Sequence, residues 1–252
     1  MLFWGAHEAG AGAIAGIGEH AERQFRHEVG RASMDAVPHL VSTTGRSWQD
    51  RAKRALDIVT AAVLLVLVLS ILIVSAVAIR LESRGPVIFR QTRVGAHGRR
   101  FTILKLRTMQ HDNDDSEHYA YVASLMSGNA TRNGSIYKLV DDRRITRVGR
   151  VLRRLSIDEL PQLLNVLAGD MSIVGPRPSL PSETELYDER TRKRLAHKPG
   201  LTGLWQVSGR SELTFRQMVD LDLWYIENWN LWSDIKILAK TPWQVVKGRG
   251  AA

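Results

Sequence analysis

The sequence contains no cysteine, and this absence removes several kinds of chemistry. Disulfide bonds, thiolate nucleophiles and thiolate metal sites are all excluded. A chain without cysteine fits a reducing compartment. No secretory signal is visible either, because charged residues such as Glu8, Glu19 and Glu22 interrupt any apolar core near the N-terminus.

Acidic charge is scarce relative to basic charge. The 252 residues carry a formal net charge of +9 at pH 7, and the sequence pI is about 10.2. Such a balance favours anionic partners, namely nucleic acid, phosphorylated small molecules or an anionic membrane surface. Residues 1–47 lack sustained hydrophobic periodicity and are interpreted as a flexible extension, which leaves residues 48–252 as the predicted functional domain.

Charged residues are also absent from the 22 residues of the apolar run 58–79. About 20 apolar residues suffice for a helix to cross a bilayer, so the run predicts a membrane-embedded helix rather than a buried helix of a soluble core. It contains Ser70 but no Pro or Gly. Basic residues flank both ends, and positive charge prefers the cytoplasmic side, so a re-entrant helix that leaves on the face it entered would keep both flanks inside. A spanning helix remains the alternative. The flanking residues are Arg51, Lys53, Arg54, Arg80, Arg84, Arg90 and Arg93.

Short strands and a polar loop are predicted after the apolar run. The β-branched and aromatic residues of 86–94 and 101–109 predict a hairpin or two short strands. The acid-rich stretch 111–134 resembles a metal-binding cluster, but no second cluster supports it. A solvated loop is therefore the preferred interpretation.

Several helices are predicted in the second half of the chain. The spacing of aliphatic residues predicts an arginine-rich helix over 144–155, followed by a second helix with Pro161 in its first turn and Gly169 at its end. A charged, exposed helix is predicted over 182–198. The stretch 213–246 predicts an amphipathic helix, for which membrane-interface and ordinary packing roles are equally favoured. Four of the seven tryptophans of the chain lie in this stretch: Trp224, Trp229, Trp232 and Trp243.

Two adjacent carboxylates, Asp158 and Glu159, interrupt the apolar stretch LSIDELPQL. One interpretation is structural: Asp158 would lie at or beside the N-cap of the second helix, or Ser156 and Glu159 would form a capping box. The other interpretation is chemical. A carboxylate can attack phosphorus, and a neighbouring carboxylate can hold Mg²⁺, a hard cation that neutralises phosphate charge.

The surroundings of the two carboxylates favour phosphate chemistry. Arg153 and Arg154 precede the pair, and Arg177 follows it inside GPRP, where two prolines fix the backbone on either side. Guanidinium groups bind phosphate bidentately, and a helix N-terminus offers further donors. Combined with a membrane anchor, these features indicate phosphoryl transfer on a lipid.

The order of the motifs resembles one protein family, the monotopic phosphoglycosyl transferases, also called bacterial sugar transferases. The resemblance runs from about Arg51 to about Lys247. Its landmarks are RALD, GPVIFRQTRVG, FTILKLRTM, RITRVGRVLRRLSIDELPQLLNVLAGDMSIVGPRP, KPGLTGLWQVSGR and LDLWYIENWNLWSDIKIL. Each motif alone is weak, and their order makes the match specific.

The resemblance implies a reaction and the residues that perform it. Members of the family transfer a sugar 1-phosphate from a nucleotide diphosphosugar, here expected to be a UDP-sugar, to undecaprenyl phosphate. Asp158 is implied as the nucleophile that forms a phosphosugar–aspartate intermediate with release of UMP. Glu159 is implied as the Mg²⁺ ligand. The implied substrate-binding residues are Lys105, Arg153, Arg177 and Asp222.

The resemblance also implies a fold and a location. The expected fold is a predominantly helical α+β catalytic domain with a re-entrant or spanning membrane helix and interfacial amphipathic helices. The expected location is the bacterial cytoplasmic membrane, with the catalytic domain on the cytoplasmic face in contact with membrane lipids. This would be a first membrane step of capsule, exopolysaccharide or glycoconjugate synthesis, with downstream glycosyltransferases as possible partners. One residue departs from the family: Ile71 follows Ser70 where the family commonly has a helix-breaking Pro.

Two other classes of protein are alternatives to the enzyme. A membrane-tethered nucleic-acid regulator could use the helices around residue 156 as a helix-turn-helix, but its second helix would begin with acids. We therefore expect no nucleic-acid partner. A single-span scaffold protein leaves the acid–arginine arrangement unexplained. The transferred sugar, the pathway and the oligomeric state are not indicated by the sequence.

Overall fold

The apolar run lies within one long helix in the computed structural model of the chain, which describes residues 47–110, 134–135, 138–139, 144–209 and 213–247. Helix α1, Ser47–Glu82, has 36 residues. At about 1.5 Å per residue it is about 54 Å long. Within the described part of the chain, it is the helix that is long and apolar enough to cross a membrane. The helix continues through Ser70 and ends at Glu82. Gly85 follows with a φ of 112°, which lies outside the helical region of backbone conformations.

One stripe of α1 packs against the rest of the domain. Lys53, Asp57, Ala61, Ser75 and Ile79 are buried along it at helical spacing. The remaining surface is apolar and exposed, so that 11% of the most apolar window is buried inside the protein. The exposed apolar residues are Val59, Val63, Val66, Leu67, Leu69, Ile71, Ile73, Val74 and Val77. A continuous exposed apolar surface of this kind marks a site of contact with a membrane or with another protein.

The elements that follow α1 are mostly short. The strands are β1 (Ile88–Val94), β2 (Arg100–Leu106), β3 (Gly134–Ser135), β4 (Lys138–Leu139), β5 (Ser172–Val174) and β6 (Gly200–Thr202). The helices are α2 (Arg147–Arg154), α3 (Gln162–Ala168), α4 (Pro181–Glu185), α5 (Glu189–Arg192), α6 (Leu204–Val207), α7 (Phe215–Glu227) and α8 (Leu231–Lys247), with 3₁₀ turns at Ala96–Gly98, Ile157–Glu159 and Lys193–Ala196. The described residues thus confirm the predicted helical α+β class.

The strands pair in twos. Strands β1 and β2 form the antiparallel hairpin that the sequence predicted, with Ile88 opposite Leu106 and Val94 opposite Arg100. Strands β5 and β6 are parallel, and β3 pairs with β4 antiparallel. A small core of Ile79, Leu106 and Leu152 joins α1, β2 and α2, so the hairpin is fixed against the end of the long helix.

Two glycines allow the backbones around the candidate site to approach closely. A Cβ added to Gly149 in α2 would lie 2.1 Å from the carbonyl oxygen of Thr108. A Cβ added to Gly200 would lie 2.1 Å from the backbone nitrogen of Gly175. Any side chain at these positions would push apart α2 and the end of β2, or the GPRP segment and β6.

Two helix predictions need correction. The helix predicted over 182–198 is divided into α4, α5 and a 3₁₀ turn, and it is not simply an exposed helix: Glu183 and Arg194 are buried because each has a charged partner in the fold. The helix predicted over 213–246 is interrupted at 228–230 and forms α7 and α8. Its capping box lies at Thr214 and Gln217.

Two further predictions concern residues outside the described part of the chain. The acid-rich stretch 111–134 lies outside the described residues except for Gly134. Residues 1–46 lie outside them as well, so the boundary between extension and domain stays a prediction.

Candidate active site

A sharp turn presents the two adjacent carboxylates. Helix α2 ends at Arg154, and Ser156 takes a left-handed conformation with φ 55° and ψ 22°. This conformation is uncommon for a residue other than glycine, and it reverses the chain direction within one residue. The 3₁₀ turn Ile157–Glu159 follows directly. Both acids therefore lie in the turn that joins the C-terminal end of α2 to the N-terminal end of α3.

The capping interpretations of the two acids are wrong. Pro161, rather than Asp158, occupies the N-cap position of α3, and the Ser156 side chain makes no capping hydrogen bond. No side-chain cap is needed, because the backbone N–H groups of Leu163 and Leu164 donate to the carbonyls of Leu160 and Pro161 at 3.0 and 3.1 Å. Gly169 ends α3 in a left-handed conformation, as predicted.

The two acids differ in exposure. Asp158 is buried, with 4% of its surface exposed. The Glu159 side chain is 24% exposed, and its Oε1 lies 3.0 Å from Nζ of Lys105 on β2. The structure therefore brings Lys105 and Glu159 together, beside a carboxylate that is shielded from bulk water.

Asn165 holds β2 beside this turn. Its Oδ1 accepts a hydrogen bond from the backbone N–H of Leu104 at 3.0 Å, and its Nδ2 donates to the carbonyl of Thr102 at 2.7 Å. The amide thus replaces a strand partner along the free edge of β2. Since Asn165 is on α3 and Lys105 follows Leu104, this clamp sets Lys105 opposite Glu159. Asn165 was not predicted as a site residue, because a single Asn in a leucine-rich helix carries no recognisable signal.

Arg153 is positioned from the other side of the turn. Its Nε donates to Oγ1 of Thr108 at 2.8 Å. The carbonyl of Thr108 accepts from the backbone N–H of Thr146 at 3.1 Å, where the missing side chain of Gly149 permits the approach. Arg153, Lys105 and the two acids therefore lie on adjoining elements.

Arg177 belongs to a second group of charges. It lies in the GPRP segment after β5, and its Nη1 is 3.7 Å from Oε1 of the buried Glu183. Glu183 is fixed in turn, because its Oε2 accepts from the backbone N–H of Leu180 at 2.9 Å. The guanidinium that the two prolines frame therefore lies within ion-pair distance of a buried carboxylate.

Asp222 lies in the same group. It is 1% exposed, and it accepts hydrogen bonds from Arg194 Nε at 2.9 Å and Nη2 at 2.7 Å. Burial raises the pKa of Asp222 to about 6, although the charges of Arg194 and Arg177 act to lower it. Arg194 also donates to the Tyr187 hydroxyl at 3.1 Å. Arg194 and Tyr187 were not predicted as site residues, because a run of alternating charges resembles a solvated helix face.

The residues present fit a magnesium ion of the kind implied above. Among the described residues, no three His, Asp or Glu side chains form a metal-binding cluster. Mg²⁺ often needs no such cluster, because one or two carboxylates plus substrate phosphates and water complete its coordination. Glu159 is a partly exposed oxygen donor with a second carboxylate beside it, which matches this open type of site.

Comparison with known proteins places this site in a protein class. The family model described as bacterial sugar transferase matches residues 48–248. The chain belongs to this family of sugar-transferring enzymes, and this membership decides against the regulator and scaffold alternatives. The matched range contains both groups of charges and α1.

Three relatives illustrate the similarity. The chain is 46% identical over 200 residues to the UDP-glucose:undecaprenyl-phosphate glucose-1-phosphate transferase of Caulobacter vibrioides, covering 76% of this chain and 68% of the relative. It is 40% identical over 203 residues to the exopolysaccharide production protein ExoY of Rhizobium meliloti, covering 79% and 88%. It is 41% identical over 202 residues to the undecaprenyl-phosphate galactose phosphotransferase of Salmonella typhimurium, covering 79% of this chain and 41% of the relative.

The coverage differs among the relatives. The chain spans less than half the length of the Salmonella protein and of the galactosyl transferase CpsE of Streptococcus agalactiae, of which it covers 43%. The similarity therefore concerns the sugar-transferase portion of those longer proteins.

Proposed function

We propose that the protein transfers a sugar 1-phosphate from a UDP-sugar to undecaprenyl phosphate, as a membrane step of exopolysaccharide, capsule or glycoconjugate synthesis. The observation that carries the proposal is the buried Asp158 beside the Lys105–Glu159 pair, at the end of a long apolar helix. The names of the Caulobacter and Salmonella relatives support the substrate classes. The lipid-linked sugar would then pass to downstream glycosyltransferases.

Asp158 is the nucleophile in this proposal. One carboxylate oxygen attacks the β-phosphorus of the UDP-sugar, and the bond from that phosphorus to the oxygen bridging to the α-phosphate breaks. UMP leaves, and the sugar phosphate stays on Asp158 as an acyl phosphate. A phosphate oxygen of the lipid then attacks the same phosphorus, forms the lipid diphosphate sugar and releases the Asp158 carboxylate. Shielding from bulk water protects the acyl phosphate from hydrolysis.

Glu159, through Mg²⁺, and Lys105 neutralise the negative charge of the diphosphate in this proposal. Glu159 would hold Mg²⁺, which when bound neutralises phosphate charge. Lys105 is a cation on a flexible stem, and its single contact with Glu159 lets it turn to a phosphate oxygen when substrate arrives.

Arg153, Arg177 and Asp222 complete the substrate-binding set. A guanidinium matches the paired oxygens of a phosphate, and the prolines and Glu183 fix the direction of Arg177. Asp222 acts through its neighbours, since its carboxylate is held by Arg194. Replacing Arg177 by Lys keeps the charge but removes the planar fork. We therefore expect a loss of activity that charge alone would not explain.

The contacts of α1 favour a re-entrant topology with both ends on the cytoplasmic face. Near its start, Arg54 donates to the carbonyls of Val166 and Leu167 in α3. At its end, the Glu82 carboxylate accepts from the first two backbone N–H groups of α2. Because α2 and α3 are adjacent along the chain and belong to one domain, the two ends of α1 belong on one face of the membrane. To return to the face that it entered, α1 would then have to bend within the bilayer without a Pro at the bend.

Helix α8 adds an interfacial surface. Trp232, Ile235 and Trp243 are exposed at helical spacing, and Nζ of Lys236 lies 5.8 Å from the ring centre of Trp232. Exposed tryptophans beside lysines suit the headgroup region of a membrane. This arrangement favours the interfacial role over the packing role for α8.

The topology can be tested with single cysteines, since the chain has none of its own. Cysteines replacing Trp48 and Arg90 should resist a membrane-impermeant thiol reagent in intact cells and react after permeabilisation. Labelling of one of them in intact cells would establish a spanning helix instead.

The activity can be tested by a nucleotide-release screen. Purified protein with undecaprenyl phosphate and Mg²⁺ is given UDP-glucose, UDP-galactose or UDP-N-acetylated sugars, and UMP is measured. We expect one sugar to be preferred, and Asp158→Asn to release no UMP while melting at the same temperature. Release of UDP instead of UMP would show transfer of the sugar without its phosphate and would overturn the proposal.

A further inference from the structure

Arg107 is a buried cation near the end of the apolar helix. It directly follows β2 and is 6% exposed. Its Nη2 donates to the carbonyl and to Oγ of Ser83 at 2.8 and 2.9 Å, just beyond the end of α1. One end of the guanidinium is therefore anchored.

The other donors of Arg107 are not used inside the described part of the chain. Its Nε and Nη1 are shielded from solvent and have no hydrogen-bond partner there. Burial and the charge of Arg80 both lower the pKa of Arg107, yet a guanidinium stays protonated at neutral pH. A buried charge beside a like charge is costly unless an anion compensates it.

A purely structural role accounts for half of this arrangement. A cation near a helix C-terminus stabilises the last carbonyls, which explains Nη2. Arg54 performs a comparable task on α3 with both of its terminal nitrogens. Arg194, another buried guanidinium, directs two nitrogens to a carboxylate. Within the described residues, Arg107 has no such carboxylate.

The position of Arg107 indicates the kind of anion. It is two residues from Lys105, so their Cα atoms are within about 7.6 Å of each other. It also lies where the lipid-facing surface of α1 ends, and Arg80 is exposed there with one hydrogen bond, to the carbonyl of Gly85. A phosphate at this edge would approach the Lys105–Glu159 pair from the membrane side.

We propose that Arg107, together with Arg80, binds the phosphate of a membrane lipid. This inference rests on the proposed function, in which the phosphate of the acceptor must reach Asp158. Two nitrogens of Arg107 supply parallel donors, and Arg80 turns its exposed guanidinium to the same anion. Because Nε and Nη1 of Arg107 are shielded in the structure, the proposal requires a neighbouring side chain to move when the phosphate binds.

The test measures binding without turnover. Full-length protein in phosphatidylcholine nanodiscs is titrated with farnesyl phosphate and, separately, with farnesol. We expect Arg107→Gln to weaken farnesyl phosphate binding by about tenfold or more and to leave farnesol binding unchanged. Competition with phosphatidylglycerol distinguishes an isoprenoid phosphate from a phospholipid headgroup as the occupant, and displacement by either supports the site.

Arg54→Gln is the matched control, because it removes an arginine that also donates to carbonyls at an end of α1. It should lower the melting temperature and leave the preference for farnesyl phosphate intact. Equal phosphate affinity in wild type and Arg107→Gln would overturn the proposal. So would an equal loss in both variants that follows their melting temperatures. Failure of the proposed function would show differently, as phosphate binding through Arg107 without any UMP formation.

Discussion

Two groups of paired lysine and carboxylate side chains in this protein have similar N···O distances and different surroundings. Lys53 on α1 lies 2.9 Å from Asp57 and 2.9 Å from Asp234, and all three are buried. Lys105 lies 3.0 Å from Glu159, and both side chains are between a fifth and a quarter exposed. The first group joins α1 to α8, and the second joins β2 to the turn that carries Asp158.

The two groups differ in how deeply they are buried, and the carboxylates of the buried group also accept hydrogen bonds from uncharged donors. Asp57 also accepts from Ser172 Oγ and the backbone N–H of Ile173, and Asp234 also accepts from Tyr225 and Trp229. A buried ion pair repays its desolvation when further donors satisfy the carboxylates in this way. Lys105 and Glu159 are both partly exposed, so solvent screens the attraction between them. The first group is therefore suited to hold the fold, and the second to open for a substrate.

Breaking the buried group should give the largest loss of stability. Lys53→Met leaves the buried carboxylates of Asp57 and Asp234 without their cation, and we expect the free energy of unfolding to fall by about 3–5 kcal/mol. Denaturant unfolding in detergent measures this. Asp220→Asn is the control, since Asp220 pairs with Arg190 on the surface and such a pair contributes about 0–1 kcal/mol. Equal losses in the two variants would remove the distinction between buried and exposed pairs.

The Asp222–Arg194 pair should make stability depend on pH. Burial raises the folded pKa of Asp222 from 3.8 to about 6. Between these values the folded state keeps a proton that the unfolded state has lost, so the contribution of Asp222 to stability falls as pH rises from about 4 to about 6. The change is on the order of 2–3 kcal/mol. Asp222→Asn should flatten this part of the stability curve, and an unchanged curve would contradict the assignment.

The Asn165 clamp should have a smaller effect on stability and a larger one on activity. Asn165→Ala leaves the backbone N–H of Leu104 and the carbonyl of Thr102 without their partner, which should cost about 1–3 kcal/mol. Because β2 then loses its register against α3, Lys105 shifts and UMP release should slow. Asn228→Ala, which removes one exposed hydrogen bond to the carbonyl of Trp224, should cost at most about 1 kcal/mol and leave UMP release unchanged. Normal activity in Asn165→Ala would show that the clamp does not position Lys105.

Removing Lys105 should have the smallest effect on stability. A partly exposed pair contributes about 0–1 kcal/mol, so Lys105→Met should unfold almost as wild type does. Its UMP release should nevertheless fall by about tenfold or more, because a charge-assisted hydrogen bond to phosphate is lost. A stability loss as large as that of Lys53→Met would mean that Lys105 belongs to the structural class instead.

Periodicity and turn chemistry predicted much of this structure. The β1–β2 hairpin, the arginine-rich helix α2 and the end of α3 at Gly169 follow from local patterns, which short-range backbone preferences determine. The left-handed Ser156 could not be predicted, because α2 and α3 both pack against the distant α1 and the chain has to turn sharply between them. Buried charges were missed for a related reason: whether Glu183 or Arg194 faces solvent depends on partners distant in sequence.

The candidate site was predicted in its members more than in its arrangement. The two acids and the arginines before them stood out because charges in an apolar stretch need a reason. Resemblance to a family, rather than spacing, indicated Lys105 and Asp222, and the fold then put Lys105 against Glu159 and Asp222 against Arg194. Asn165 and Arg107 depend on contacts across the domain, and no short pattern announces them.

Direct detection of the covalent intermediate tests the central claim. Protein is mixed with its UDP-sugar and Mg²⁺ in the absence of any lipid acceptor, and both UMP and the mass of the peptide containing Asp158 are measured. We predict UMP in an amount equal to the enzyme, a sugar phosphate added to that peptide, and neither signal in Asp158→Asn. UMP that forms only after undecaprenyl phosphate is added, with no modified peptide, would contradict the account and show direct transfer between the two substrates.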